Sequence, residues 1–250
     1  MDALCDSQTL RRFCGIDLAV ESVPEATTLM TFRHRLEANH LSQAMLSEVN
    51  ALLPEKKFPM SQGSLIDATL IAAPSSTRNR TCERDPEMHS VKKGNPWYFG
   101  IKAPIGVDEA SGRVHTVVST AAQASEVSQV AALLHGKESR VGADAGYVGA
   151  AKRPDVIAKV AETGQTIDWC IARRRQAIRK MADGWQKQLI LAAETLKARV
   201  RARVEHPFHV IKNLFHHRKT RYRGLAKNHA QIVMLFALAN LYLVRGKLRP

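Results

Sequence analysis

The run Ser64-Leu65-Ile66-Asp67-Ala68-Thr69-Leu70-Ile71 constrains the chain most, because it sets a carboxylate in the middle of a segment with the composition of a buried strand. An unpaired carboxylate in such a place is costly, so the fold has to surround Asp67 with water, cations or hydrogen-bond donors. A strand-end aspartate capping a turn is a weak competing explanation for a residue placed mid-strand. It is a stronger one for Asp144, which follows the short apolar run Val141-Gly142-Ala143 and precedes a glycine-containing turn. Strand ends of α/β sheets are also where sites are built.

Around these two positions the pattern alternates. Strands are expected at 64–71, 97–107, 113–120, 139–143 and 166–171, with a hairpin turn at Asp108-Glu109-Ala110-Ser111-Gly112. The polar stretch 74–96 reads as a loop. Helices are expected at 126–135, 154–162, 186–216 and 228–244. The last carries an apolar stripe of Ile232, Leu235, Phe236, Ala239 and Leu243. Residues 26–53 read as a helical pair broken near Asn39-His40, with Leu29, Phe32 and Leu36 and then Leu41, Met45, Val49 and Leu52 at helical spacing. Three strands in meander followed by alternating helices and strands predict an α/β layered domain. The boundaries expected are a helical N-terminal segment over 1–60, a catalytic domain over 61–218 and a C-terminal helix over 219–250.

A third carboxylate, Glu205, lies in a basic helical run. Arg201 precedes it by four residues and Lys212 follows it by seven, so all three share one helix face. A solvated run of ion pairs is the bland account of such a stripe. Pro207 signals that the helix kinks or restarts just after Glu205. Asp155, after Pro154, suits the first turn of a helix better than a site. Three carboxylates on two strands and a helix are a common arrangement for phosphodiester chemistry: two hard cations, held about 3.5–4 Å apart, bind the carboxylate oxygens and the scissile phosphate. The formal charge of +14 over 250 residues makes nucleic acid the default partner. Cys5, Cys14, Cys82 and Cys170 lie far apart, without metal-ligand spacing, and read as reduced thiols of a cytosolic protein. No apolar run reaches the roughly 18–20 residues of a membrane span.

Several blocks are similar to those of the DDE transposases of bacterial insertion sequences, in particular the IS-five group. They are residues Gly63 to Thr69, Arg84 to His89, Lys92 to Lys102, Ala143 to Gly149, Arg201 to Phe208, Tyr222 to Leu225 and Leu235 to Leu241, in the family's order. The resemblance implies an RNase H-like core, a mixed sheet flanked by helices, with Asp67, Asp144 and Glu205 as catalytic metal ligands for Mg²⁺ or Mn²⁺ in a two-metal site. It implies metal-dependent DNA cleavage and strand transfer at transposon ends, a nucleoid-associated cytoplasmic setting and a homo-oligomer on double-stranded DNA. Arg201 and Lys212, and with less support Lys92, Lys93 and Lys102, are the expected phosphate contacts. Two positions depart from the family pattern: Pro104 follows Lys102-Ala103 where His is usual, and Ala198 stands where Tyr is usual three residues before Arg201. Family members also begin with further helical sequence ahead of the part matching Met1. A truncated, inactive DNA-binding remnant and a nuclease without transfer activity are the alternatives left open.

Overall fold

The computed structural model describes residues 2–55, 59–78, 80 and 82–246, which fall into two compact units, Met1–Ser42 and Gln43–Pro250. The first unit holds α1 (Asp2–Asp6), α2 (Gln8–Cys14) and α3 (Ala26–Ala38). Ser7 caps α2 by accepting from the Leu10 amide, and Gly15 closes it in the left-handed region (φ 69°). The stripe expected on α3 does not enter a core: Leu29 and Phe32 are exposed. His40, at φ 51°, makes the break expected between the paired helices.

The next helix, α4 (Leu41–Glu55), buries Leu46 and Leu53, with Val49 packed against the same core as Leu46. The expected stripe had included Leu41, Met45 and Leu52, which are exposed. Both sets obey helical spacing, and only the position of the sheet decides between them.

A seven-stranded sheet organises the second unit: β1 (Gly63–Ala72), β2 (His89–Lys92), β3 (Trp97–Asp108), β4 (Val114–Val117), β5 (Thr120–Ala121), β6 (Arg140–Ala143) and β7 (Asp168–Ile171). Its order is β2-β3-β1-β6-β7, with β4 and β5 also paired to β3. The twelve-residue β3 therefore has β1 along one edge and β2, β5 and β4 end to end along the other. Pairing is antiparallel up to β1 and parallel from β1 through β6 to β7. The helices are α5 (Val130–Leu133), α6 (Pro154–Thr163), α7 (Arg175–Arg179), α8 (Trp185–Arg201), α9 (Glu205–His209) and α10 (Leu225–Val244). Alternate residues of β1 feed two cores. Leu65 and Ile71 pack with Phe208, Ile211, Ile232 and Phe236, whereas Ile66 packs with Val130, Leu133, Val141 and Val156. A mixed sheet with helices on both faces makes this an α/β RNase H-like core.

The structure corrects the sequence reading in several places: the strand expected over 113–120 is split into β4 and β5, and the helix expected over 126–135 is a 3₁₀ turn at Val127–Gln129 followed by the short α5. The loop expected over 74–96 contains β2, whose His89, Ser90 and Lys92 are exposed, so it shows no apolar alternation. The single helix expected over 186–216 is instead α8, a 3₁₀ turn at Ala202–Val204, α9 and a π turn at Val210–Leu214. The break expected just after Glu205 falls just before it. Pro207 cannot bond to the carbonyl four residues back, that of Arg203, and so the tightened turn forms there. The stripe on α10 is met, with Ile232, Phe236 and Ala239 buried and Leu235 and Leu243 packed beside them.

Two sequence blocks meet at the start of α10. The Asp85 carboxylate accepts the Gly224 amide at 2.6 Å, and Glu87 accepts that of Leu225. Both satisfy orphan donors and place negative charge at the positive end of the helix dipole. Further along α10 the buried Asn240 accepts the Val114 amide (2.8 Å) and donates to its carbonyl (2.7 Å), closing part of the outer edge of β4.

Pro104 costs the sheet little. It lies opposite Ala68 on the face of the sheet away from Asp67. Its carbonyl accepts from Val118, in the gap between β4 and β5, so its missing donor falls where the outer ladder is already interrupted.

Candidate active site

Asp67 sits on β1 opposite Ile105 of β3. On the other side β1 runs parallel to β6, with Ile66 beside Ala143, so Asp144 emerges at the end of the neighbouring strand one step further on. Glu205 opens α9. Its register is set by the apolar residues Val204, Phe208 and Ile211, at i, i+4 and i+7, which are buried in the core shared with Leu65.

The electrostatics of Asp67 register this convergence. Its pKa is pushed up to about 6, chiefly because burial disfavours the charged form. The amide of Ala68, at 2.8 Å, acts the other way. The charges of Asp144 and Glu205 raise it further and that of Arg201 lowers it. Four residues named by the sequence are thus within electrostatic reach of one another. Asp144 has an acceptor role of its own, taking the Gly146 amide at 2.8 Å as cap of the short turn Ala145–Tyr147. The capping explanation and the site explanation hold together, because a carboxylate has further lone pairs to offer.

The cations divide. Lys212 is half-buried, and burial lowers its pKa. Lys93 and Arg218 lower it further, while Glu205 raises it. Lys93, at the tip of the β2–β3 hairpin, is therefore within electrostatic reach of Lys212. Lys92 is exposed on β2 opposite Trp97. Lys102 does not meet the expectation of a phosphate contact: it is buried, donates to the Ala124 carbonyl at 2.9 Å and pairs with Glu126 at 3.2 Å. Asp155 sits in the first turn of α6, paired with Arg153 at 2.9 Å.

Two neighbours escaped the sequence reading. Glu126 and Tyr147 belong to the same electrostatic group: burial raises the Tyr147 pKa, and Glu126, Asp67 and Asp144 reinforce the effect. Tyr147 could have been suspected, since a single turn of backbone separates it from Asp144. Glu126, eighteen residues upstream of Asp144, carries no local signal. A cleft of about 730 Å³ opens beside Asp144 and Arg201, and Arg173, Arg175, Arg179 and Lys187 line it. These arginines come from the β7–α7 connection and from α7 itself, which the sequence pattern does not single out.

The donor set suits a hard divalent cation. Asp67 accepts one hydrogen bond, from its own chain neighbour, and shares a neighbourhood with two further carboxylates whose repulsion a cation relieves. Among the described residues the three carboxylates do not gather as closely as the donors of a single-ion cage. Ligands to one Mg²⁺ lie within about 4.2 Å of each other, whereas the outer ligands of an ion pair lie further apart.

Among the described residues no helix is long and apolar enough to cross a membrane. Residues 59–241 match the family model described as the transposase DDE domain, and the chain belongs to that family.

Proposed function

We propose that this member of the transposase DDE family cuts DNA at the ends of an insertion-sequence element of the IS-five group and joins them to a target, with Asp67, Asp144 and Glu205 holding two Mg²⁺ or Mn²⁺ ions. The observation that carries the proposal is the convergence on Asp67 of Asp144, Glu205 and Arg201 from a strand interior, a strand end and a helix start. Bound there, the metals would supply Lewis-acid activation of the attacking oxygen and stabilisation of the leaving one. The chain's own residues do the rest. Glu205 and Asp144 are held by a packed helix register and a capped turn, so they keep their positions as substrate enters. Arg201 and Lys212 flank Glu205 as phosphate contacts, joined by Lys93 and, with less support, Lys92. The arginines of the cleft beside Asp144 extend the positive track for the DNA backbone.

Paired transposon ends call for a multimer on double-stranded DNA, acting in the cytoplasm at the nucleoid. The Pro104 substitution leaves this reading intact, because it lies on the opposite face of the sheet from Asp67.

The test is nicking of supercoiled plasmid with Mn²⁺, followed by strand-transfer assays on end-containing substrates. Nicking that disappears in Asp144→Ala, together with transfer products, supports the proposal. Nicking that survives Asp144→Ala overturns the metal assignment. Cleavage without joined products reduces the function to a nuclease.

A further inference from the structure

On the face of β1 opposite Asp67, three titratable side chains converge that the DNA chemistry does not use. Among the described residues, the donor atoms of His115, His135 and Glu138 lie within 4.8 Å of one another. His135 Nε2 is 3.5 Å from Glu138 Oε1, and the two imidazoles pack edge to face with centroids 4.7 Å apart. The Ser64 hydroxyl joins them, 3.0 Å from His115 Nε2 and 3.4 Å from Glu138 Oε1.

The backbone is shaped to bring His115 there. The β3–β4 pairing runs Gly106↔Thr116 and then Val107↔Val114, so His115 is the extra residue of a β-bulge, a device that re-aims a side chain. Gly106 leaves the room: a Cβ on it would come within 2.4 Å of His115 Cε1. Glu138 is buried and held in place by the amides of His135 (2.6 Å) and Gly136 (2.8 Å). His115 Nδ1 lies 2.9 Å from the Thr116 hydroxyl, a partner that fixes the ring and leaves Nε2 directed inward.

We infer that His115, His135 and Glu138 form a binding site for a divalent transition-metal ion of the zinc class, distinct from the three carboxylates, that clamps β4 to the α5–β6 connection. Two imidazoles and one carboxylate are a recurrent zinc donor set, whereas hard Mg²⁺ prefers oxygen. Tetrahedral zinc at about 2.0–2.1 Å from its donors needs them roughly 3.3 Å apart, which the His135–Glu138 pair already approaches. His115 closes the remainder by giving up its contact with the Ser64 hydroxyl. Binding also moves a proton. The amide of Lys137 now donates to His135 Nδ1 at 3.2 Å, which places the ring proton on Nε2. With the ion on Nε2 that proton sits on Nδ1, and the Lys137 amide, in an exposed turn, rotates toward water.

The test uses the whole chain stripped of metal, titrated calorimetrically with Zn²⁺ in excess Mg²⁺, with Tm and circular dichroism followed alongside. The inference expects about one zinc per chain and a rise in Tm. It expects at least a tenfold weaker affinity in His135→Gln, whose partly exposed side chain makes the variant tolerable, and unchanged zinc affinity in Asp144→Asn. A folded wild type that takes up no zinc overturns it, leaving a hydrogen-bonded network. Equal binding by His135→Gln overturns it too, as does binding lost only in Asp144→Asn. Thiolate charge-transfer bands with Co²⁺ would assign the ion to cysteine instead.

Discussion

Asp67 and Asp108 stand on neighbouring antiparallel strands, and Asp108 is three positions along β3 from Ile105, the partner of Asp67. Asp108 is saturated with donors. One oxygen accepts the Ser61 amide (2.6 Å) and hydroxyl (2.5 Å), and the other accepts the Ser111 amide (2.7 Å) and hydroxyl. These bonds outweigh burial and hold its carboxyl below the usual range. Asp67 has one amide and acidic company, and its carboxyl is pushed up. A structural carboxylate brings its own counter-donors with it. A poorly compensated carboxylate is what the proposed metal site calls for.

The comparison breaks most visibly in activity. Asp67→Ala, Asp144→Ala and Glu205→Ala should each lower Mn²⁺-dependent nicking by more than about a hundredfold, with DNA binding retained. Asp108→Ala should leave the turnover of its folded fraction close to wild type. Comparable losses of folded-state turnover at Asp67 and Asp108 would erase the distinction.

Stability comes next, and there the two aspartates should act in opposite directions. Removing the Asp108 acceptor leaves the Ser61 and Ser111 donors without it, at a cost of about 3 kcal/mol in denaturant unfolding. Because the folded-state pKa of Asp108 is depressed, its contribution is present above the ordinary carboxylate value of 3.8 and lost as pH falls below it. Asp67 has the reverse sign. A rise from 3.8 to about 6 means the folded state holds its proton more tightly, so metal-free protein loses about 2 kcal/mol as pH climbs from 4 to 6. Asp67→Asn should be flat over that range and more stable than wild type at pH 7 in EDTA. A variant as pH-sensitive as the wild type would show that the penalty lies elsewhere.

Divalent metal sharpens the contrast. Mg²⁺ at millimolar levels should raise the Tm of wild type and of Asp108→Ala, and leave Asp67→Asn unmoved. The smallest effect belongs to the rim of the site: Lys93→Gln should weaken DNA binding a few-fold and reduce the salt slope by about one. An unchanged slope would place Lys93 away from the phosphates.

The strands and helices with a strong local pattern were legible in the sequence. β1, β3, β6, α6 and α10 were, because their apolar spacing or their terminal Pro and Gly residues are local signals. β2 was not, being an edge strand without apolar alternation, nor was the break at 202–204, where the influence of Pro207 acts four residues back. Asp67 could be singled out because the cost of a carboxylate in an apolar strand depends on its immediate neighbours alone. Glu126 and His115 could not. Glu126 is held by a tertiary ion pair with Lys102, and His115, on the other face of the sheet, is aimed by a bulge whose existence depends on the register of β3 against β4.

The clamp of Asp85 and Glu87 on the first amides of α10 joins two segments about 140 positions apart through side chains of the first alone. The donors are backbone amides and persist whatever residues occupy 224 and 225, so a block without the Asp85 and Glu87 carboxylates would leave two amides unmet. Viable chimaeras, whether made by recombination or at the bench, should therefore keep acceptor side chains at 85 and 87, whichever parent supplies the start of α10.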